Sequence, residues 1–302
     1  MTGAAGFLGS SLARRLTGLG AEVHALVRPE SNLARLQTIS SELQIHPCDL
    51  RDGSRLARVL QEIRPERLFH AAFPPGHPRD AQARVAMLHD GLSGTLNFLE
   101  ALAPRDYESL VGLGSSLEYG SKEGTMREGD PPQPDCWRGA CKAAEAHLFQ
   151  AYCKERRRPG VWLRLFSVYG PWEPPHRFIP TLLRSHREGR AISLTPEAYR
   201  HDFIYAEDVV DACLLASALS SGFHLFNVGS GEQHSNQAVA SLLEKITGRP
   251  LLRSPAPYPV GSQDRTSCVA DLSKISSVLG WRPRHSLEAG LRANWEWAVA
   301  HA

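Results

Sequence analysis

The sequence predicts an α/β protein built on a doubly wound parallel sheet, with a smaller C-terminal substrate-binding region. Three observations carry that expectation: short β-branched runs alternate with helical periodicity through the first half, a glycine-rich turn opens the first helix, and after Gly170-Pro171-Trp172 the texture changes to Pro-rich loops and shorter elements.

The elements follow in order. Gly3-x-x-Gly6-x-x-Gly9 leads into a helix on which Leu8, Leu12, Leu16 and Leu19 recur four or three apart along one face. Strands are expected at 23–27, 44–47, 67–71, 110–114 and 161–166, with amphipathic helices over 87–103 and 142–153. Met1-Thr2-Gly3 falls inside the turn that should follow a central first strand, and the expectation here is a misassigned start, a valine codon doubling as a start codon. A dinucleotide-binding domain over 1–170 and a mainly substrate-binding region over 171–302 are expected, with segments near 202–228 returning to the sheet.

Composition narrows the function. Lys and Arg number 34 against 32 Asp and Glu, so the formal charge is only +2 and no basic stripe of the kind that nucleic acid needs is present. The run from Lys154 to Arg158 reads as a charged helix end. Six cysteines form neither a CxxC pair nor a metal-spaced cluster, which implies reduced thiols, a cytoplasmic setting and no metal. No apolar run approaches the roughly 20 residues that cross a bilayer.

The glycine turn points to a dinucleotide. Its glycines permit a tight turn, close approach of backbone to pyrophosphate and close packing of helix on strand, while the helix N-terminus offers N–H groups to phosphate. Gly3, Gly6, Phe7, Leu8 and Gly9 are the expected contacts. Where an acidic residue would hold the adenosine ribose, the strand ends on Val27-Arg28; a guanidinium there pairs with a 2′-phosphate, so NADP(H) is favoured, with NAD possible through Glu30.

Further motifs then accumulate: Cys48-Asp49-Leu50, His70-Ala71-Ala72, Gly114 to Gly120, Lys142 to Glu145, Arg164 to Pro171, Asp202 to Ala212, and Leu279-Gly280-Trp281-Arg282-Pro283. With the glycine turn, they make the chain resemble, over nearly its whole length, the extended short-chain dehydrogenase/reductase family of nucleotide-sugar epimerases, dehydratases and ketoreductases, whose cofactor domain is Rossmann-type. The resemblance implies that Asp49 and Leu50 lie on the adenine, and that Ala71 and Ala72 leave room for the cofactor. It also implies a homodimer in which the helices near 87–103 and 142–153 pair about a two-fold axis.

Catalysis in that family uses a Ser or Thr, a Tyr and a Lys. The resemblance assigns the hydroxyl to Ser115 and the Lys, which also holds the nicotinamide ribose, to Lys142. The Tyr should stand four residues earlier, one helical turn away, and Arg138 is there. A guanidinium keeps its proton at neutral pH and cannot alternate as acid and base. Three readings follow. Arg138 is an electrophile or phosphate anchor, with Glu118, Tyr119 or Cys136 supplying the proton; or the protein binds dinucleotide and sugar nucleotide without turnover; or Arg138 polarises a ketone and water gives the proton in a reductase. Glu118 is the strongest acid/base candidate by chemistry if shielded in a cleft, and otherwise a solvated loop carboxylate. For a nucleotide-diphosphate sugar the resemblance implies contacts from Ser167, where the family has Asn, and from Arg177, Arg200 and Arg265.

Overall fold

The computed structural model describes residues 1–76, 78–122, 124–256, 258 and 267–301. In chain order these form α1 (Phe7–Gly18), β1 (Val23–Val27), β2 (Leu43–Pro47), α2 (Gly53–Ile63), β3 (Arg67–His70), α3 (Ala81–Leu88), α4 (Gly94–Leu102), β4 (Ser109–Leu113), β5 (Thr125–Met126), α5 (Trp137–Arg156) and β6 (Gly160–Leu165). There follow β7 (Ser167–Tyr169), α6 (Phe178–Glu188), β8 (Arg200–His201), β9 (Phe203–Tyr205), α7 (Ala206–Ala216), β10 (Phe223–Val228), β11 (His234–Ser235), α8 (Asn236–Thr247), β12 (Val269–Ala270), α9 (Ser273–Leu279) and α10 (Leu287–Ala300).

Two compact units result. The first comprises Met1–Gly120, Pro132–Arg164 and Val210–Phe226, and the second Ser121–Pro131, Leu165–Val209 and Asn227–Ala302. In the first, β1 pairs in parallel with β2, and β3 with β4, which pairs in turn with β6. β10 lies on the far side of β6. Thr2 joins the two sets through parallel bridges to Leu26 and to His70. The Leu26 N–H donates to the Met1 carbonyl at 2.9 Å, and the Thr2 N–H to the Phe69 carbonyl at 2.9 Å. The sheet order therefore reverses at Thr2, which makes the carboxyl ends of β1 and β3 the switch point where a doubly wound fold takes its ligand.

Burial explains the helices. Asp52 caps α2 by accepting from the Arg55 N–H at 2.9 Å, and the Leu56, Val59 and Leu60 face then packs with Phe98, Leu99 and Leu102 of α4 against Leu110, Phe149 and Trp162. Each such fully buried side chain contributes about 1.5–3 kcal/mol. On the opposite face Ala13 of α1 joins Val23, Ala25, Leu36 and Ile39. Two expectations need correction. Leu19 caps α1 and is 64% exposed, so the apolar face ends at Leu16. The single helix expected over 87–103 is broken by a π turn at His89–Ser93 between α3 and α4; a turn of this kind inserts one residue into the ladder, shifting the register of the face beyond it.

The second unit has its own core, in which Tyr169, Leu182, Phe203, Tyr205, Leu243 and Leu291 meet. Asp202, completely buried, organises it by accepting from the N–H groups of Ser230, Gly231 and Ala270 at 2.5, 3.1 and 3.0 Å. The Trp281 indole donates to the Asp208 carbonyl at 3.1 Å.

Candidate cofactor and catalytic site

Gly3 has φ +70°, and a Cβ on it would stand 2.5 Å from the Ala71 carbon and Ala72 nitrogen. Only glycine lets the turn lie so close to the backbone after β3. Gly6 is the N-cap of α1, with no side-chain cap and no acid in the first turn, so Phe7, Leu8 and Gly9 bring main-chain N–H groups to the positive end of a helix dipole. Such a cradle fits a diphosphate, and Ala71 and Ala72 border it: their N–H groups reach the Thr2 carbonyl and Thr2 Oγ1, each at 3.3 Å.

Arg28 is half exposed at the close of β1 with its Nε 3.5 Å from Glu30. Asp49 accepts from Arg51 at 2.5 Å, and this hydrogen bond, with Arg51 and Arg28 nearby, holds its carboxyl below the ordinary range. Leu50 packs beneath Gly94.

Ser115 follows β4 and caps a short 3-10 turn: its Oγ accepts from the Leu117 N–H at 3.2 Å, which leaves the hydroxyl proton to donate elsewhere. Lys142 is buried, donating at 2.8 Å to the carbonyl of Leu113, the last residue of β4, and at 2.8 Å to Glu145. Its Nζ lies 4.2 Å from the Phe73 ring centre. Burial pulls the Lys142 ammonium towards the neutral amine, and Glu145 opposes that pull. Ser115 and Lys142 thus converge on the carboxyl end of β4. Arg138 donates to the carbonyls of Pro74 and Gly76 at 2.9 and 3.1 Å and stacks over Phe73 at 4.6 Å. It clamps the segment after β3 onto the start of α5.

Glu118 requires a correction. It is neither a solvated loop carboxylate nor an open cleft acid, being completely buried. Its carboxylate accepts from Arg164 Nε at 2.7 Å, the Trp162 indole at 2.9 Å and the Ser115 N–H at 2.8 Å. Burial pushes its pKa up, and the three donors, Arg164 foremost, push it down. Three fixed donors make it a structural anchor for the Ser115 turn. Tyr119 is buried too, under the Arg164 guanidinium at 4.4 Å, and Cys136 caps α5 by accepting from the Gly139 N–H at 3.4 Å. Glu118 and Tyr119 are thus committed to the fold, while Cys136, half-buried, only accepts that bond and keeps its thiol proton.

In the second unit Ser167 opens β7, pairing with Phe203 of β9 and donating its N–H to the Asp202 carbonyl at 2.9 Å. Arg200, exposed, sits two residues before Asp202 on β8. Arg177 precedes α6 and pairs with the buried Glu173 at 3.2 Å. Arg265 lies outside the described residues. Sequence reasoning missed Glu145, Thr95 and Phe73, which surround Lys142; the placement of Glu145 three residues after Lys142 on one helix face was the signal that could have found it. Among the described residues no group of three or more His, Cys, Asp or Glu could hold a metal ion, and no helix is long and apolar enough to cross a membrane.

Comparison with known proteins gives a consistent result. The family model for the NAD dependent epimerase/dehydratase family matches residues 1–229. The chain is 30% identical over 303 residues to dTDP-6-deoxy-L-talose 4-dehydrogenase (NAD(P)(+)) of Kitasatospora kifunensis, covering 97% of this chain and 93% of that protein. Its structure resembles that of Thermus thermophilus UDP-glucose 4-epimerase in complex with NAD, with TM-score 0.89, 27% identity and coverage of 100% and 98% of the two chains. It is equally close, at TM-score 0.89 and 26% identity with the same coverage, to UDP-glucuronic acid 4-epimerase from Bacillus cereus in complex with UDP-glucuronic acid and NAD.

Proposed function

The chain belongs to the NAD dependent epimerase/dehydratase family, and from that premise we propose that it is an NAD(P)-dependent enzyme acting on a nucleotide-diphosphate sugar, with Arg138 in place of the usual catalytic Tyr. The observation that carries the reading is the convergence of Lys142 and Ser115 on the end of β4, two strands from the glycine cradle at Thr2 and Gly3. Gly3, Gly6, Phe7, Leu8 and Gly9 hold the cofactor diphosphate, Asp49 and Leu50 the adenine, Ala71 and Ala72 the space for the nicotinamide half, and Lys142 its ribose. When bound, the nicotinamide supplies or accepts hydride at a sugar carbon.

This chain's residues must supply the rest. Ser115 donates a hydrogen bond from its hydroxyl to the reacting oxygen and polarises it. Arg138 adds a fixed positive charge, which stabilises a developing alkoxide without moving a proton. With Glu118 and Tyr119 committed to the fold and Cys136 seated as the cap of α5, the proton comes from water, which favours ketone reduction over an epimerisation that needs the same group to take and return a proton. Arg28 favours NADP(H). Ser167, Arg177, Arg200 and Arg265 bind the sugar nucleotide, and the protein is a homodimer: Val85, Leu88, Leu96 and Trp137, all exposed on α3, α4 and α5, offer the apolar face for it.

A second reading, a cofactor- and nucleotide-sugar-binding protein without turnover, is favoured by the commitment of Arg138 to the Pro74 and Gly76 carbonyls. Assaying purified protein with keto and hydroxy forms of UDP- and dTDP-sugars, NAD(P)H and NAD(P)+, with mass detection, separates the two. Conversion of any of these supports the enzyme, and cofactor binding without conversion supports the binder.

A further inference from the structure

Glu145 is completely buried on α5, three residues after Lys142. Its Oε2 accepts from Lys142 Nζ at 2.8 Å, and its Oε1 from the Thr95 hydroxyl at 3.3 Å. With the Thr95 proton spent there, Thr95 Oγ1 must accept from His70 Nε2, 3.0 Å away. His70 Nδ1 is then the acceptor of the Thr2 hydroxyl at 2.9 Å, and Thr2 Oγ1 accepts from the Ala72 N–H at 3.3 Å. One arrangement of protons satisfies the whole chain, and in it the branch from His70 Nε2 and the branch from Lys142 both end on the Glu145 carboxylate. Burial holds His70 neutral, its pKa driven down to about 3, which agrees with this single arrangement.

The surroundings are shaped to that carboxylate. Gly91, in the π turn, would place a Cβ 3.4 Å from Glu145 Oε1 and 3.3 Å from the Phe73 ring, so a side chain there would press on both. The Phe73 and Trp162 rings stand 4.2 and 5.4 Å from Lys142 Nζ and keep water away. The charged and titratable groups that face Lys142 are Glu145 and Arg138 on α5, Glu118 from the turn after β4, and His70 on β3. Of these Glu145 alone bonds to the ammonium, and Arg138 repels it.

We propose that Glu145 is a positioning residue: as a charged carboxylate it fixes the Lys142 ammonium at the end of β4 and ties it, through Thr95, His70 and Thr2, to the glycine cradle. The proposal rests on the reading that Lys142 holds the cofactor. Loss of the anion leaves a buried ammonium beside Arg138, and the lysine then gives up its proton at a lower pH than before.

The test compares the parent, Glu145→Gln and Glu145→Asp. In Glu145→Gln the folded lysine binds its proton more weakly than the unfolded one, so stability rises with pH across that window. The melting-temperature gap between parent and Glu145→Gln therefore narrows from about pH 6 to about pH 9, while Glu145→Asp, which keeps the charge, runs parallel to the parent. Affinity for NAD+ and NADP+, measured by calorimetry, stays within about twofold over that range in the parent and in Glu145→Asp, and in Glu145→Gln falls about tenfold as pH rises. A folded Glu145→Gln whose melting gap and affinity profile are both independent of pH overturns the proposal. A parent that binds neither dinucleotide overturns the reading beneath it, and the melting gap alone then decides whether Glu145 fixes the ammonium.

Discussion

Replacing Glu118 by Gln tests whether this carboxylate is an anchor or an acid/base. The substitution keeps the shape and removes the charge opposite Arg164, whose side chain is 3% exposed with its Nε 2.7 Å from the carboxylate. Breaking one side of a buried ion pair leaves the other charge uncompensated and costs about 3–5 kcal/mol. At about 2–4 °C per kcal/mol for a domain of this size, the melting temperature falls by roughly 6–20 °C. Scanning calorimetry at pH 7 measures it. The double substitution Glu118→Met/Arg164→Met removes both charges but recovers only part of the loss, because the Trp162 indole and the Ser115 N–H are left without their acceptor. A Glu118→Gln protein that melts within about 2 °C of the parent would refute the anchor role and return Glu118 to candidacy as the proton donor.

Three further outcomes are expected. Arg28→Asp removes a phosphate ligand and adds repulsion, so calorimetric titration finds the NADP+ to NAD+ affinity ratio falling by at least about tenfold; an unchanged ratio rejects Arg28 as the selector. Glu173, buried with its pKa raised to about 7 mainly by burial, keeps a proton that the unfolded chain loses near the ordinary carboxylate value of 4.5. Its contribution is therefore present at low pH and lost as pH rises through 7: the parent loses roughly 3 kcal/mol relative to Glu173→Gln between about pH 4.5 and pH 7, and parallel urea-unfolding curves across that range would contradict it. Light scattering finds a dimer that Leu88→Arg with Leu96→Asp converts to a monomer, while a parent that is already monomeric removes that proposal.

Much of the first unit was legible in the sequence because its signals are local. The β-branched runs mark β1 to β4 and β6 to within a residue or two, and the glycine turn needs only its own spacing to be read as a strand-to-helix cradle. The π turn at His89–Ser93 was not legible: a single inserted residue leaves the apolar periodicity on either side intact. The burial of Glu118 depends on Trp162 and Arg164 of β6, more than forty residues away, and no pattern around Glu118 reports them. Leu19 kept the spacing of its helix face but fell at the cap, where the helix ends. Glu145 is the opposite case, since its spacing to Lys142 was in plain view and only the enclosing rings and the Thr95 to Thr2 chain give that spacing its meaning.

The enzyme reading is tested most directly by hydride transfer itself. The protein is incubated with 4-keto UDP- or dTDP-sugars and NADPH or NADH carrying deuterium at the transferable position, and the sugar nucleotide is then weighed by mass spectrometry. The expected product is two hydrogens heavier than the ketone, one of them deuterium delivered from the cofactor and the other a proton from solvent, with the signal lost in Lys142→Met. Tight cofactor binding with no deuterium gained by any sugar, together with deuterium transfer appearing only in Arg138→Tyr, would contradict it and leave the binder without turnover as the function of this chain.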